Sequence, residues 1–152
     1  FSAPRVWWML CSMGHQGVAV LDGGFPKWQR EERPVSTELP VPTPAQFTPQ
    51  FDAARWRDLE AMRANLASHA EQVVDARSSG RFTATEAEPR AGVRGGHIPG
   101  ARNVHYASLV TAEGTLQSPE ALRAVFATQG VQLDAPIVAS CGSGLTACAV
   151  LL

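Results

Sequence analysis

The stretch "PIVASCGSGLTACAVLL" at residues 136–152 constrains the fold more than any other part of the chain. Its apolar run, residues 136–140, reads as a buried parallel strand. Gly142 and Gly144 then permit a tight turn where a side chain would obstruct the backbone. From Thr146 onward the residues are apolar with good helix formers. Strand, glycine loop and helix together aim backbone N–H groups at one point, and Cys141 stands at the mouth of that loop.

The rest of the chain repeats the alternation. Pro4 suits the first turn of a helix and Gly14 its end. Residues 18–21 ("VAVL") read as a buried strand, turned by Asp22, Gly23 and Gly24. A polar, proline-dense stretch covers residues 29–49, where missing backbone donors favour extended structure. It is expected to be an interdomain linker. In residues 51–69, Asp52 is a candidate N-cap, and Trp56, Leu59, Met62 and Leu66 share one helical face. "QVVDA" reads as a strand and residues 78–100 as a long loop rich in Gly, Pro and Arg. Residues 119–129 read as a helix with Leu122, Val125 and Phe126 on one side. Strands alternating with helices predict a parallel α/β sheet with helices on both faces.

A chain of 152 residues is long enough for one domain with a real core. The net charge of −1, with no basic patch, argues against a nucleic-acid partner. No apolar run approaches a membrane span. Three cysteines, Cys11, Cys141 and Cys148, show no metal-ligand spacing and form an odd count. That argues against a disulfide scaffold and a zinc site, and favours a reducing, cytoplasmic setting.

A thiolate is the reactive form of cysteine, and loop N–H groups and a helix N-terminus favour it. Cys141 is therefore a candidate nucleophile. The competing reading is a small buried hydrophobe. Two chemistries fail on the letters. A cysteine phosphatase needs an arginine about six residues after the nucleophile to grip phosphate with its fork. Here Ala147 holds that position, and no arginine follows Cys141. A serine hydrolase elbow needs G-x-S-x-G, whereas Ser143 is flanked by Cys141 and Leu145 at those positions.

"CGSGLTA" resembles the active-site loop of the mercaptopyruvate branch of the rhodanese superfamily, with Leu145 in place of the usual valine. The segment "DARSSGRFTATEAEPRAGVRGGHIPGARNV", residues 75–104, resembles the catalytic domain of the same family. "VAVLDGGFPKW", residues 18–28, is similar to the end of its first, catalytically silent domain. "LTACAVLL" can also be laid over "FSAPRVWW" at residues 1–8, as in a tandem repeat. The resemblance thus implies residues 1–34 from the first domain, a linker at 35–50, and a catalytic domain at 51–152. It also implies a fragment of a longer protein. Residues 1–28 would pack where the end of the catalytic domain is missing, in their own chain or in a neighbour by swapping, with "VAVL" joining the sheet that holds "PIVAS".

The activity implied is transfer of sulfur from 3-mercaptopyruvate to a thiol or cyanide through a persulfide on Cys141, releasing pyruvate. The acceptor would be a small thiol or a thioredoxin-like protein. Neither cofactor nor metal is implied. Arg81 and Arg90 match the family's substrate-binding arginines, whose forks suit a carboxylate and a carbonyl. Gly142, Ser143, Gly144, Leu145 and Thr146 form the active-site loop. Ser143 matches a serine that positions a proton in some members, and reads equally as a polar turn residue. Arg77, Arg94 and His97 read as structural or surface residues. Cys148, two helical turns beyond Cys141, reads either as a packed residue or as a resolving thiol. Two rivals remain: a thiosulfate sulfurtransferase, and a non-catalytic rhodanese-like module that binds partners or senses redox state.

Overall fold

The structure, a computed structural model, describes residues 2–152. Its helices are α1 (Ala3–Ser12), α2 (Gly24–Arg30), α3 (Leu59–Ser68), α4 (Ser79–Phe82), α5 (Pro119–Thr128) and α6 (Thr146–Val150). Its strands are β1 (Gln72–Asp75), β2 (Arg102–Asn103) and β3 (Ile137–Ser140). All three strands are parallel, in the order β2-β1-β3. The register sets Val74 opposite Arg102 on one side and Ala139 on the other. This is an α/β architecture, as the alternation of apolar runs and helical segments predicts.

Central position explains the composition of β1. Its two middle residues are both valine because both faces of the strand are covered, and the polar Gln72 and Asp75 stand at its ends. Val73 and Val74 point to opposite faces, and both are buried. Val74 belongs to a core with Val104, Leu109, Phe126 and Val131, against which Leu122, Val125, Ile137 and Val150 pack. The three α5 residues expected on one face therefore do share it. Ser118 caps α5 by accepting from the Ala121 N–H, and Pro119 occupies its first turn.

The helix expected over residues 51–69 is shorter. Asp52 caps only a single 3-10 turn, Ala53–Arg55, and Trp56 is extended and exposed. Arg57 then donates to the carbonyls of Ala54 and Trp56 and to both oxygens of Glu71. That cross-link holds the chain out of helical geometry until Asp58 supplies a second cap, on the Ala61 N–H. At the far end of α3, His69 takes a left-handed conformation (φ 51°). The Asn65 side chain bonds both backbone groups of Glu71, which turns the chain into β1.

A second expectation fails. Residues 18–21 form no strand and lie outside the sheet, and Leu21 is exposed. β3 has β1 on one side and no described strand on the other, so "VAVL" does not join "PIVAS". Apolar letters alone signal a strand only where a partner edge is within reach. The N-terminal segment docks instead through α1 against α6. It also docks through Asp22, whose carboxylate accepts from the Leu116 N–H at 2.8 Å, and Arg30, which donates to the Glu113 carbonyl at 2.9 Å. Residues 35–50 are exposed and lack regular structure. The loop at 78–100 carries one short helix, α4, capped by Ser78. No described helix is long and apolar enough to cross a membrane.

Candidate active site

Parallel strands place the residues that follow them along one edge of the sheet. Asp75 closes β1 and Cys141 follows β3 directly, and the two strands are hydrogen-bonded neighbours. A cavity of about 1050 Å³ opens there. Cys141, Gly142, Ser143, Thr146, Arg81 and Arg90 all line it. Gly144 and Leu145 do not. Gly144 lies behind the loop, where a Cβ would meet the Arg5 guanidinium at 3.0 Å, and Leu145 is the residue before α6.

The loop is built around the sulfur. With φ at +76°, Gly144 turns its N–H onto Cys141 Sγ at 3.0 Å. Burial pushes the Cys141 thiol up, but hydrogen bonds from the Thr146 hydroxyl and the N–H groups of Ser143, Ala147 and Gly144 outweigh it. The result lies below the ordinary cysteine value. The Cys148 thiol is pushed the other way, chiefly by burial, despite help from Arg5. Cys148 is buried, donates to the Gly144 carbonyl at 3.1 Å and does not line the cavity, as a packed helix residue would.

Thr146→Val tests this environment. The loss of a hydrogen bond to an ionised group removes about 1.5–3 kcal/mol of thiolate stabilisation. Alkylation of Cys141 by iodoacetamide at neutral pH is expected to slow by about tenfold or more. Its rise with pH is expected to move upward, followed by peptide mass.

Arg81 reaches the loop from α4. Its guanidinium sits where a Cβ on Gly142 would be, 2.6 Å from Nη2, so glycine at 142 makes room for it. Glu88 anchors it, accepting from Arg81 Nη2 at 2.6 Å. The same carboxylate accepts from Arg77 Nη1 at 2.7 Å. Arg77 also forks onto Asp75, with Nη2 at 2.6 Å, and reaches the Gly96 carbonyl. The arginine hydrogen bonds, Arg81 foremost, hold the Glu88 carboxyl below the usual carboxylate range against the effect of burial. Arg90 lines the cavity with its side chain exposed. Ser143 is an exposed residue on the cavity wall. His97 stacks on Phe82 with ring centroids 3.7 Å apart and bonds its carbonyl, which pins α4 in place.

Arg77 and Glu88 are the residues that sequence reasoning underrated. Arg77 is a buried organiser of the site, with a side chain 10% exposed. One signal was available. An arginine-rich loop beside a buried strand end needs carboxylates, and the acids within reach in sequence are Asp75 at the strand end and Glu86 and Glu88 inside the loop.

Residues 58–152 match the rhodanese-like domain family. Over its whole length the chain is 47% identical to the 3-mercaptopyruvate sulfurtransferase of Homo sapiens and covers 51% of it. It is 42% identical to the thiosulfate sulfurtransferase of Cricetulus griseus and covers 52% of that protein. The chain thus spans about half the length of these curated relatives. Among solved structures it superimposes on SseA from Escherichia coli, described as a 3-mercaptopyruvate sulfotransferase of rhodanese fold. The TM-score is 0.85 at 38% identity, covering 99% of this chain and 56% of the other. Fold and sequence agree, and the chain belongs to the rhodanese-like domain family.

Proposed function

We propose that the protein is a sulfurtransferase that takes sulfur from 3-mercaptopyruvate onto Cys141 and passes it to a thiol. The observation that carries this reading is a cysteine sulfur that accepts the Gly144 N–H at 3.0 Å, its thiol held below the ordinary value, in a cavity shared with Arg81 and Arg90. The Cys141 thiolate attacks the substrate sulfur, and the carbon–sulfur bond breaks. Its electron pair passes to the carbonyl as an enolate, which takes a proton to become pyruvate. Cys141 keeps the sulfur as a persulfide, whose anion accepts from the same loop N–H groups. Arg81 and Arg90 hold the carboxylate and carbonyl of the donor. Ser143, which lines the same cavity, carries the enolate's proton in this reading.

In this reading residues 51–152 are the catalytic domain, 1–34 the end of a silent one, and 35–50 the linker. Three free cysteines fit a reducing compartment such as the cytoplasm. Thiosulfate is the rival donor. The loop favours the mercapto-acid, because Gly142 and Ser143 offer no side-chain cation for a dianion. Intact mass and peptide mass after exposure to each donor test the reading. The expected result is gain of one sulfur on Cys141, faster from 3-mercaptopyruvate. Faster loading from thiosulfate overturns the donor assignment. A folded protein that gains sulfur from neither overturns the activity and leaves a non-catalytic module.

A further inference from the structure

The cavity is larger and more basic than a three-carbon acid requires. At about 1050 Å³ it lies just above the range of sites that take drug-sized ligands, roughly 300–1,000 Å³. Its wall carries six arginines against four carboxylates, Asp58, Asp75, Glu86 and Glu88, of which Asp58 caps α3 and Glu86 accepts from the Ser78 hydroxyl. Arg57 is neutralised by Glu71, Arg77 by Asp75, and Arg81 holds Glu88. Arg63, Arg90 and Arg94 have no ion-pair partner among the described residues. Arg90 is assigned to the donor, which leaves Arg63 and Arg94 without a role in sulfur uptake. Arg63 projects from α3. Arg94 follows the turn in which the Val93 N–H meets the Arg90 carbonyl at 3.4 Å, so it stands on the same rim as Arg90.

We propose that Arg63 and Arg94 form a subsite for the sulfur acceptor, and that the acceptor is a thiol of about tripeptide size carrying two carboxylates. The proposal rests on the persulfide reading above. The acceptor thiolate attacks the outer sulfur of the Cys141 persulfide. The sulfur–sulfur bond to Cys141 breaks, Cys141 leaves as a thiolate, and the acceptor departs as a persulfide with no net oxidation. Two exposed guanidinium forks attract and orient the acceptor's carboxylates. Their field also raises its local concentration, an effect that salt weakens.

The test is single-turnover discharge of the preformed Cys141 persulfide, followed by mass. Glutathione, neutral 2-mercaptoethanol and cationic cysteamine serve as acceptors to the parent protein, Arg63→Gln, Arg94→Gln and the double variant. Each single change is expected to slow discharge to glutathione about two- to fivefold at low salt, and both together about tenfold. The 2-mercaptoethanol rate is expected to hold, the cysteamine rate to hold or rise, and Arg94→Lys to recover part of the loss. Equal slowing with all three thiols, or no slowing with glutathione, overturns the proposal. Calorimetric binding of S-methylglutathione to unloaded protein separates the two readings. If no persulfide forms, the function above fails, while weaker binding by the double variant still supports the subsite and equal binding still overturns it.

Discussion

Cys141→Ser is expected to abolish sulfur uptake from 3-mercaptopyruvate, a loss of about a thousandfold or more. A serine hydroxyl is scarcely ionised at neutral pH, and the four hydrogen bonds that favour a thiolate cannot close that gap. The fold is expected to survive, because the smaller oxygen still faces the Gly144 N–H that bonds the sulfur at 3.0 Å. Peptide mass after exposure to the donor checks the first statement, and circular dichroism on the same sample checks the second. The two other cysteines make the result decisive. Cys11 and Cys148 remain in the variant, and neither lines the cavity. Cys148 is held in its thiol form chiefly by burial and is not expected to load, so a sulfur found on it or on Cys11 would move the nucleophile. Retained loading of a folded variant would refute the role given to Cys141.

Much of this site could be read in the letters because its central part is local. Strand, cysteine, two glycines and helix are contiguous, so the backbone alone fixes where the sulfur meets its N–H donors. Pro119 with Ser118, and the spacing of Leu122, Val125 and Phe126, fix α5 in the same local way. Failures occur where a distant partner decides the outcome. Residues 18–21 have strand composition but no strand edge to join. Residues 51–69 have helical periodicity, but Arg57 is tied to Glu71, fourteen positions away, and the helix waits for Asp58. The arginines show the same limit. Composition does not distinguish Arg77, buried between two carboxylates, from Arg94, exposed on the rim. Only the approach of β1 to the loop after α4 separates them.

That buried pair carries the second large effect. Arg77→Met removes the fork from Asp75, a residue 2% exposed at the end of the central strand. A buried charge stripped of its partner costs about 3–5 kcal/mol, a large share of a domain's stability. Denaturant unfolding should therefore show a midpoint far below that of the parent, with little change in slope. Arg77→Lys keeps the charge but loses the parallel hydrogen bonds, and is expected to fall between the two. Glu88 adds a functional consequence. Without Arg77 its carboxylate has only Arg81 to hold, and the guanidinium against Gly142 loses one side of its support. Arg77→Lys, if folded, should then load sulfur with a raised KM for 3-mercaptopyruvate and a smaller change in kcat. The Cys141 donors sit on the other strand's loop and are untouched. A lysine variant with parent-like stability and parent-like KM would show that the Asp75–Arg77–Glu88–Arg81 chain does not position the site. An equal fall in kcat and in kcat/KM would place Arg77 at the reacting atoms rather than behind them.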